Sequence, residues 1–508
     1  MVIDINLFRR EKGGNPEKIK ESEKNRFHDE TNVDKVIEYD EKWRKCIFKL
    51  EELKKSINIV NKEIGNKKKV DKNANVEDLI KKSLSMKEEI PLLQNEEKYL
   101  LKQRNTYLNK IGNILNKKVI VSNDELNNKV IKTWGVCKKL EVTNSINENT
   151  NEKREMGPIN GSSSKLKYYH HFDLLKKIGG ANFKKGIQVA GHRGYYLTGV
   201  GFLLHNAILQ YALNFLVKKK YSPVYPPFFM KKNIMDECAE LDDFEETLYK
   251  ISSYNMDDNK NDLINKNVSN EESCRDDLYL IATSEQPLCA LHRDEVLESK
   301  NLPLRYAGFS SCFRKEAGAH GKDIRGILRV HQFDKVEQFC ISLPHTSNKI
   351  HQEMMKTCEE FYQSLNIPYR IISIVSGALN NAASIKYDLE GYFPCSDQYR
   401  ELVSCSNCTD YQSINLNIKY TDSNIKITDL KKNEKVNINE EMDSDYENFI
   451  QNFHTESKNY VHLLNGTMVA AQRFLCCLLE NYQNGEGIIV PEKLRPFMNN
   501  MEFIPFVE

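Results

Sequence analysis

The sequence has no long uninterrupted apolar run, and its charges almost cancel. Among 508 residues, 73 Lys and Arg face 72 Asp and Glu, so the formal net charge is +1. A membrane helix needs roughly 20 predominantly apolar residues, and no run approaches that length, so we expect no membrane partner. The charge balance rules out no class of partner, but because the charges cancel on average, an RNA partner would have to be met by local basic patches.

The sequence also lacks a regular cysteine spacing and a glycine-rich nucleotide-binding motif. The 13 cysteines are an odd number without framework spacing, which favours reduced thiols in the cytosol. Cys405 and Cys408 form a lone CxxC, and because a structural zinc site needs about four ligands, we expect no zinc. Leu204 replaces the third glycine after Gly199-Val200-Gly201, and Gly321-Lys322 lacks the flanking residues of a P-loop, which excludes both common nucleotide cradles.

The first residues, MVIDINLFRREKGG, have no basic segment followed by an apolar stretch. We therefore expect neither a secretory nor a transit signal and predict a cytoplasmic protein. Residues 141–167 are rich in Ser, Asn, Thr and Glu and predict a linker. It would separate an N-terminal domain, 1–140, from a larger domain, 168–508, with polar inserts near 252–275 and 419–459.

Two apolar seven-residue repeats predict a coiled coil at about 33–115. The first contains Val36, Trp43, Leu50, Ile57 and Ile64, and the second contains Leu79, Met86, Leu93, Leu100, Tyr107 and Ile114. The polar stretch GNKKKVDKNANVED lies between them and predicts a reversal, so the helices should pair antiparallel. Lys67, Lys68 and Lys69 lie near the predicted tip, where the lysines indicate either a solvated exterior or an RNA-binding surface.

The larger domain has an unusual charged segment, residues 305–339. Two strand-like runs, Tyr306–Phe313 and Gly326–Phe333, flank a Gly-rich stretch and predict an antiparallel hairpin. Arg314, Lys315 and Glu316 follow the first run. Edge hairpins also carry charge simply to stay soluble, so this pattern alone leaves that alternative open.

Other stretches carry polar groups at element ends. Thr283-Ser284-Glu285 follows an apolar run and fits a helix capping box as well as a binding loop. Glu401-Leu402-Val403-Ser404 predicts a strand with exposed oxygen donors. Asn465-Gly466-Thr467 precedes an apolar helix in which Arg473 is either a ligand contact or a surface residue.

Together these residues resemble a known family. Phe313-Arg314-Lys315-Glu316, with Val330-His331-Gln332-Phe333 and Glu337, is similar to motif 2 of the class II aminoacyl-tRNA synthetases in its seryl form. Tyr221–Phe229, with Pro227, resembles motif 1, and Tyr460–Tyr482 resembles motif 3. The chain is therefore identified as a member of the eukaryotic cytosolic seryl-tRNA synthetases. The family implies an α+β fold: a mixed, mainly antiparallel sheet with an N-terminal antiparallel α-helical coiled-coil arm.

The resemblance implies a role for each matching residue. Arg314, Arg473 and Glu401 would be catalytic, and ATP would contact Arg314, Lys315, Glu316, Val330, His331, Gln332, Phe333, Glu401, Leu402, Val403, Ser404 and Arg473. Glu401 and Ser404 would hold Mg²⁺ with ATP. L-serine would contact Thr283, Ser284, Glu285, Glu337, Asn465 and Thr467. Lys67, Lys68 and Lys69 would contact tRNA-Ser, whose long variable arm the coiled coil grips in this family.

The implied activity is ATP-dependent activation of serine followed by transfer to the 3′ end of tRNA-Ser, by a homodimer formed across the motif 1 edge. Service to selenocysteine tRNA is left open. Two alternatives are a catalytically dead RNA-binding paralogue and a class II ligase for another amino acid. Arg314, Glu337, Glu401 and Arg473 are all present, which speaks against the first. The seryl-type spacing and the arm speak against the second.

Overall fold

The computed structural model describes residues 2–73, 75–140, 168–238, 247–251, 277–316, 325–421 and 459–507. The predicted linker, nearly all of both predicted inserts, and the Gly-rich part of the segment 305–339 lie outside these residues. The chain divides into two compact units, which meet in sequence between Leu115 and Asn116.

The N-terminal unit is helical: α1 spans Pro16–Asn25, α2 spans Thr31–Val70 and α3 spans Glu77–Leu108. Helices α2 and α3 run antiparallel, because rising numbers on one meet falling numbers on the other. Trp43 Nε1 donates to Glu97 Oε1 at 3.2 Å, whereas Ser83 Oγ donates to Asn61 Oδ1 at 2.9 Å. The seam buries Cys46, Leu50, Leu93 and Leu100, which confirms the predicted coiled-coil arm.

The ends of the two arm helices differ from the prediction. Helix α2 continues to Val70, so Lys67, Lys68 and Lys69 lie in its last turn rather than in the reversal. Lysine is a good helix former, and this explains why the helix does not end at Gly65. Helix α3 ends at Leu108, so the last predicted seam residue, Ile114, is buried beyond the helix.

The larger unit begins with a strand and then alternates short helices and strands. Its first elements are β1 (Lys129–Trp134), α4 (His171–Lys177), β2 (Ala181–Asn182), α5 (Phe183–Ala190), β3 (Tyr196–Leu197), α6 (Gly199–Lys218), β4 (Ser222–Val224), β5 (Phe229–Lys231), α7 (Lys232–Cys238), β6 (Lys250–Ile251), β7 (Leu278–Leu280), α8 (Glu285–Ala290) and β8 (Val296–Glu298). There follow β9 (Leu304–Phe313), β10 (Gln332–Ser342), α9 (Ser347–Ser364), β11 (Tyr369–Ser373), β12 (Ile385–Phe393), β13 (Gln398–Asn407), β14 (Lys419–Thr421), β15 (His462–Ala470), α10 (Ala471–Tyr482), β16 (Gly487–Ile489) and β17 (Phe503–Pro505).

The main sheet has the strand order β1-β11-β12-β13-β15-β10-β9-β4 in the described chain. Its neighbours pair antiparallel except β4, which pairs parallel with β9. The sheet is therefore mixed and mainly antiparallel, as predicted. Strand β4 lies at an edge, as expected for a strand that contains Pro223, which has no N–H to donate.

The predicted domain boundary near residue 140 differs from the structure. Strand β1 pairs with β11, so residues 116–140 fold with the larger unit. Trp134 stacks on Tyr369 with ring centroids 5.7 Å apart, which gives this short strand an aromatic anchor.

Several predicted element boundaries were wrong. The return strand of the motif 2 hairpin begins at Gln332, not at Gly326, and residues 325–331 are irregular. Strand β15 continues through Gly466, and the motif 3 helix begins at Ala471. The apolar run before Thr283-Ser284-Glu285 also forms a shorter strand than predicted, because β7 ends at Leu280.

Helix α6 is the described helix that is long and apolar enough, by length and composition alone, to cross a membrane. The expectation that no segment approaches this length was therefore wrong for α6. Several of its side chains belong to the main core, which also receives helices α9 and α10. A core helix meets the same criterion, so this observation is weak evidence for a membrane span.

Candidate active site

One cavity of about 540 Å³ gathers most of the predicted site residues on the face of the main sheet. Its lining includes Thr283, Glu285, Arg314, Glu316, Val330, Phe333, Glu337, Glu401, Leu402, Ser404, Asn465, Thr467 and Arg473. These residues come from β10, β13, β15, α10, the start of α8 and the segments after β7 and β9. The sheet thus brings together groups that are up to 190 positions apart in the chain.

Five of the residues predicted to contact ATP or serine do not line the cavity: Ser284, Lys315, His331, Gln332 and Val403. Side chains alternate along a strand, so Val403 points into the core while its neighbours Leu402 and Ser404 face the cavity. Ser284 is fully buried. His331 Nδ1 lies 3.0 Å from the carbonyl oxygen of Arg314, so it joins the two sides of the hairpin.

Glu337 is the most buried charged group of the cavity, with 1% of its surface exposed. Its Oε2 pairs with Lys335 Nζ and accepts a hydrogen bond from Thr283 Oγ1 at 3.2 Å. Lys335 and Glu337 are two positions apart on β10 and therefore share one face. A buried carboxylate held in this way offers a fixed hydrogen-bond acceptor to a small polar ligand.

Glu285 supplies a second carboxylate to the same end of the cavity. Its Oε1 accepts hydrogen bonds from Asn465 Nδ2 and Gln412 Nε2, each at 3.0 Å. Burial raises the pKa of Glu285 to about 7, and the nearby charge of Glu337 acts in the same direction. A ligand cation beside these two carboxylates would relieve their repulsion, so this end of the cavity suits an ammonium group.

Local structure explains how Thr283 and Glu285 reach the cavity. Glu285 is the first residue of α8, and its N–H donates to Thr283 Oγ1 at 3.2 Å. The N-cap residue of α8, Ser284, makes no side-chain capping bond, so the capping box that the sequence left as an alternative is not formed. The Glu285 carboxylate points toward Asn465 instead. Glu337, which Thr283 contacts, pairs in register with Thr467 across β10 and β15.

Arginines and an aromatic ring form the other end of the cavity. The guanidinium of Arg314 lies over the Phe333 ring, 5.3 Å from its centroid, and Arg314 Nε donates to the carbonyl oxygen of Ala282 at 3.4 Å. Arg473 Nη1 donates to the carbonyl oxygen of Glu401 at 3.0 Å and lies 3.5 Å from Glu401 Oε2. A guanidinium over a flat apolar ring, with a second arginine lining the same cavity, suits a planar, negatively charged ligand.

Oxygen donors line the cavity near Arg473. Ser404 pairs in register with Asp388 across β12 and β13, and Glu401 pairs with Glu390. Burial raises the pKa of Asp388 to about 7, an effect that Lys386 opposes and the charge of Glu401 reinforces. The oxygens of Glu401 and Ser404 are hard ligands, which fit Mg²⁺.

Sequence reasoning missed four residues near these groups: Lys335, Lys386, Gln412 and Gln472. Lys335 carried a detectable signal, because it shares a strand face with Glu337 two positions away. Lys386 and Gln472 also line the cavity, and Gln412 contacts Glu285. Gln412 lies 127 positions from Glu285, so only the folded chain reveals this contact.

The lone CxxC is buried beside the cavity. Cys405 and Cys408 are free thiols, and Cys408 Sγ accepts a hydrogen bond from Asn465 Nδ2 at 3.4 Å. Among the described residues, the group with metal-ligand chemistry lies elsewhere and comprises His170, Cys395 and Glu480. The Glu480 carboxylate is already engaged within the fold, because its oxygens contact His171 Nδ1 and accept from the Cys395 N–H.

Comparison with known proteins follows the division seen in the structure. A model of the seryl-tRNA synthetase N-terminal domain matches residues 2–115, and a model of the tRNA synthetase class II core domain (G, H, P, S and T) matches residues 267–431. The first of these matches spans the same residues as the helical unit. The second includes Thr283, Arg314, Glu337 and Glu401.

Full-length relatives give the same result. A serine–tRNA ligase of Helianthus annuus is 44% identical over 100% of this chain and 99% of its own length. The crystal structure of a cytoplasmic serine–tRNA ligase from Naegleria fowleri in complex with AMP is 40% identical, with a TM-score of 0.77 and 100% of both chains covered. A seryl-tRNA synthetase from Pyrococcus horikoshii complexed with ATP is 34% identical, again with a TM-score of 0.77 and full coverage of both chains. With both family models, full-length relatives and the fold in agreement, this chain belongs to the seryl-tRNA synthetase family.

Proposed function

We propose that this enzyme activates L-serine in the cavity and transfers it to tRNA-Ser through the residues described above. In the first step, a serine carboxylate oxygen attacks the α-phosphorus of ATP, the bond to the bridging oxygen breaks, and pyrophosphate leaves. In the second, a hydroxyl of the terminal ribose of tRNA attacks the seryl carbonyl, and AMP leaves. The observation that carries this proposal is the buried Glu337–Lys335–Thr283 group next to Glu285, at one end of a cavity whose other end is arginine-rich.

Serine would lie at the carboxylate end. Its ammonium would pair with Glu285 and contact Thr283 Oγ1, and its hydroxyl would donate to Glu337. Alanine lacks that hydroxyl and would leave a buried carboxylate unpaired, which supports discrimination by roughly 10⁴-fold. Asn465 and Thr467 would close this end from β15.

ATP would occupy the arginine-rich end. Phe333 and Arg473 would enclose adenine, which requires Arg314 to leave the Phe333 ring and turn toward the α-phosphate. Charge develops on that phosphate in the transition state, so a positioned guanidinium there lowers the barrier electrostatically. The solved relatives complexed with AMP and ATP support nucleotide use by this chain.

Mg²⁺ would accompany ATP and neutralise phosphate charge when bound. Glu401 and Ser404 would hold it, since their oxygens face the cavity and match its preference for hard ligands. Arg473 contacts both the backbone and the carboxylate of Glu401, so it would keep that carboxylate in place. The chain's own task is then to position serine and phosphate for in-line attack.

The helical arm would bind tRNA-Ser. Lys68 and Lys69 are exposed in the last turn of α2, while Lys67 Nζ pairs with Glu63 Oε1 at 3.0 Å. Phosphate contacts from such lysines carry little sequence information but set position on the RNA. We also propose a cytoplasmic location, in line with the cytoplasmic relative from Naegleria fowleri.

A homodimer would form across the β4 edge. Tyr225, which follows this strand, is 72% exposed, and Phe229 is 49% exposed. Exposed aromatic residues beside an unpaired strand edge favour burial against a second copy of the chain. Light scattering on the purified protein would measure the mass, and a monomer at micromolar concentration would contradict this part of the proposal.

ATP–pyrophosphate exchange tests the activity directly. We expect serine to support exchange, and threonine, alanine and glycine to support far less at equal concentration. Charging of tRNA-Ser should then follow when tRNA is added. Exchange with a different amino acid in preference to serine would overturn the serine assignment, and binding of tRNA without any exchange would favour the dead paralogue.

A further inference from the structure

Around Phe333, strand β10 pairs with β9 on one side and has no described strand on the other side. Pairing with β9 begins at Gln332, opposite Phe313. Pairing with β15 begins three residues later, at Lys335, opposite Ala470. In a strand, the carbonyl of Gln332 and the N–H of Asp334 point to the same side. The described residues offer no strand partner there, although unpaired backbone groups of this kind are costly when buried.

Two side chains take the place of the missing strand. Tyr195 OH donates to the carbonyl oxygen of Gln332 at 3.0 Å. Gln472 Oε1 accepts from the N–H of Asp334 at 2.8 Å, and Gln472 Nε2 donates to Tyr195 OH at 3.0 Å. The peptide groups on both sides of Phe333 are thus held by one connected pair, which we call the Tyr195–Gln472 bridge.

The bridge is itself fixed by partly buried polar contacts. Gln472 is almost fully buried, and its Nε2 also lies 3.2 Å from Asp334 Oδ2. Ser311 Oγ donates to Asp334 Oδ1 at 2.6 Å, and His205 Nε2 lies 3.3 Å from Asp334 Oδ2. A network whose members share several hydrogen bonds is rigid, because any movement breaks several of them at once.

The two ends of the bridge come from different parts of the chain. Gln472 directly precedes Arg473 on α10, whereas Tyr195 lies in the loop between α5 and β3. Arg193 of the same loop donates from Nη1 to the carbonyl oxygen of Arg329 at 3.3 Å. That loop lies outside the three sequence motifs, yet it contacts the irregular segment that leads to Phe333.

We propose that Tyr195 and Gln472 are positioning residues for the nucleotide: their bridge sets the separation between the Phe333 ring and Arg473. The proposal rests on the proposed function, in which these two groups enclose adenine. In the proposed placement serine lies beside Glu285 and Glu337 and not beside the bridge, so loss of the bridge should change ATP binding and leave serine binding intact. The effect should include a looser adenine site in addition to a loss of stability.

The test uses Tyr195→Phe, Gln472→Met and the double variant in pyrophosphate exchange. Each single change removes hydrogen bonds but keeps side-chain volume, and we expect the ATP KM to rise about threefold to tenfold. The serine KM and the charging plateau should stay at the parent values. The rise in ATP KM of the double variant should be smaller than the product of the rises of the two single variants, because both changes break the same Gln472–Tyr195 bond.

Two variants serve as matched controls. Tyr211→Phe removes a core hydroxyl that bonds to Ser364 Oγ at 2.7 Å, and Gln483→Met removes an amide that holds the Tyr169 backbone in the same way. Both should lower Tm as much as the bridge variants without raising the ATP KM. Equal ATP KM changes in controls and bridge variants would refute positioning, and so would a bridge variant that changes only Tm.

A Phe333→Ala variant separates this proposal from the proposed function. If it leaves the ATP KM unchanged, Phe333 does not contact adenine, and the site assignment fails first. If it raises the ATP KM while Tyr195→Phe and Gln472→Met do not, the site assignment stands and the bridge is refuted. A rise in all three variants, with constant serine KM, supports both.

Discussion

Glu337→Gln tests the serine pocket with little change in shape. The variant side chain still fills the space between Lys335 and Thr283, and its carbonyl can accept from Thr283 Oγ1. It loses the charge that pairs with Lys335 and that would accept from the serine hydroxyl. A hydrogen bond to a charged group contributes about 1.5–3 kcal/mol. At about 1.4 kcal/mol per factor of ten, the serine KM should rise about 10- to 150-fold.

The same change should destabilise the protein, because Lys335 is buried and loses its ion-pair partner. Removing one member of a buried ion pair lowers the free energy of unfolding by about 3–5 kcal/mol. This is an upper limit for Glu337→Gln, because water in the open cavity can solvate Lys335. Adding Lys335→Met should restore much of the Tm but not the serine KM. This separation distinguishes a binding role from a structural one.

Pyrophosphate exchange, with serine and ATP varied in turn, gives both constants, and thermal unfolding gives the Tm. The ATP KM should stay near the parent value because Glu337 lies at the end of the cavity away from Phe333. A serine KM within about threefold of the parent, together with a raised ATP KM, would refute the assignment of Glu337 to the serine hydroxyl.

Three further predictions concern other parts of the molecule. Arg314→Ala should lower exchange by at least about 100-fold, the cost of one transition-state donor, with an unchanged circular dichroism spectrum; exchange within a few-fold of the parent would contradict its role. The pKa of Glu285 is raised to about 7, so its carboxyl is protonated below that pH and ionised above it. The ionised form pairs with the serine ammonium, so serine binding should tighten as the pH rises through 7. Glu285→Gln should abolish this dependence, and a titration of serine affinity that stays equally steep would exclude Glu285. Changing Lys67, Lys68 and Lys69 to Ala should flatten the salt dependence of tRNA binding, by about 0.7–0.9 in log–log slope for each lysine that neutralises a phosphate, without affecting exchange; an unchanged slope would mean that these lysines are solvated surface.

Local patterns in the sequence were enough for the helical arm and for the family resemblance, which in turn implied the mainly antiparallel sheet. The apolar repeats predicted the arm because each helix buries its own seam, so the pattern is complete within about 80 residues. The positions of Arg314, Glu337, Glu401 and Arg473 were read from motifs that are short and continuous. Boundaries were predicted less well: lysines extended α2 past Gly65, and Gly466 remained inside β15 because the neighbouring strands β10 and β13 pair with it.

Contacts between distant segments were decided only by the tertiary structure. Gln412 bonds to Glu285 across 127 positions, and Gln472 and Tyr195 meet across 277. Neither glutamine stands in a periodic pattern, and an amide looks the same in sequence whether it faces water or completes a strand. Its role depends on where the sheet stops pairing, which is set by the register of β10 against β9 and β15. Register involves several strands at once, so the polar groups that complete an unpaired edge can be recognised only after the chain has folded.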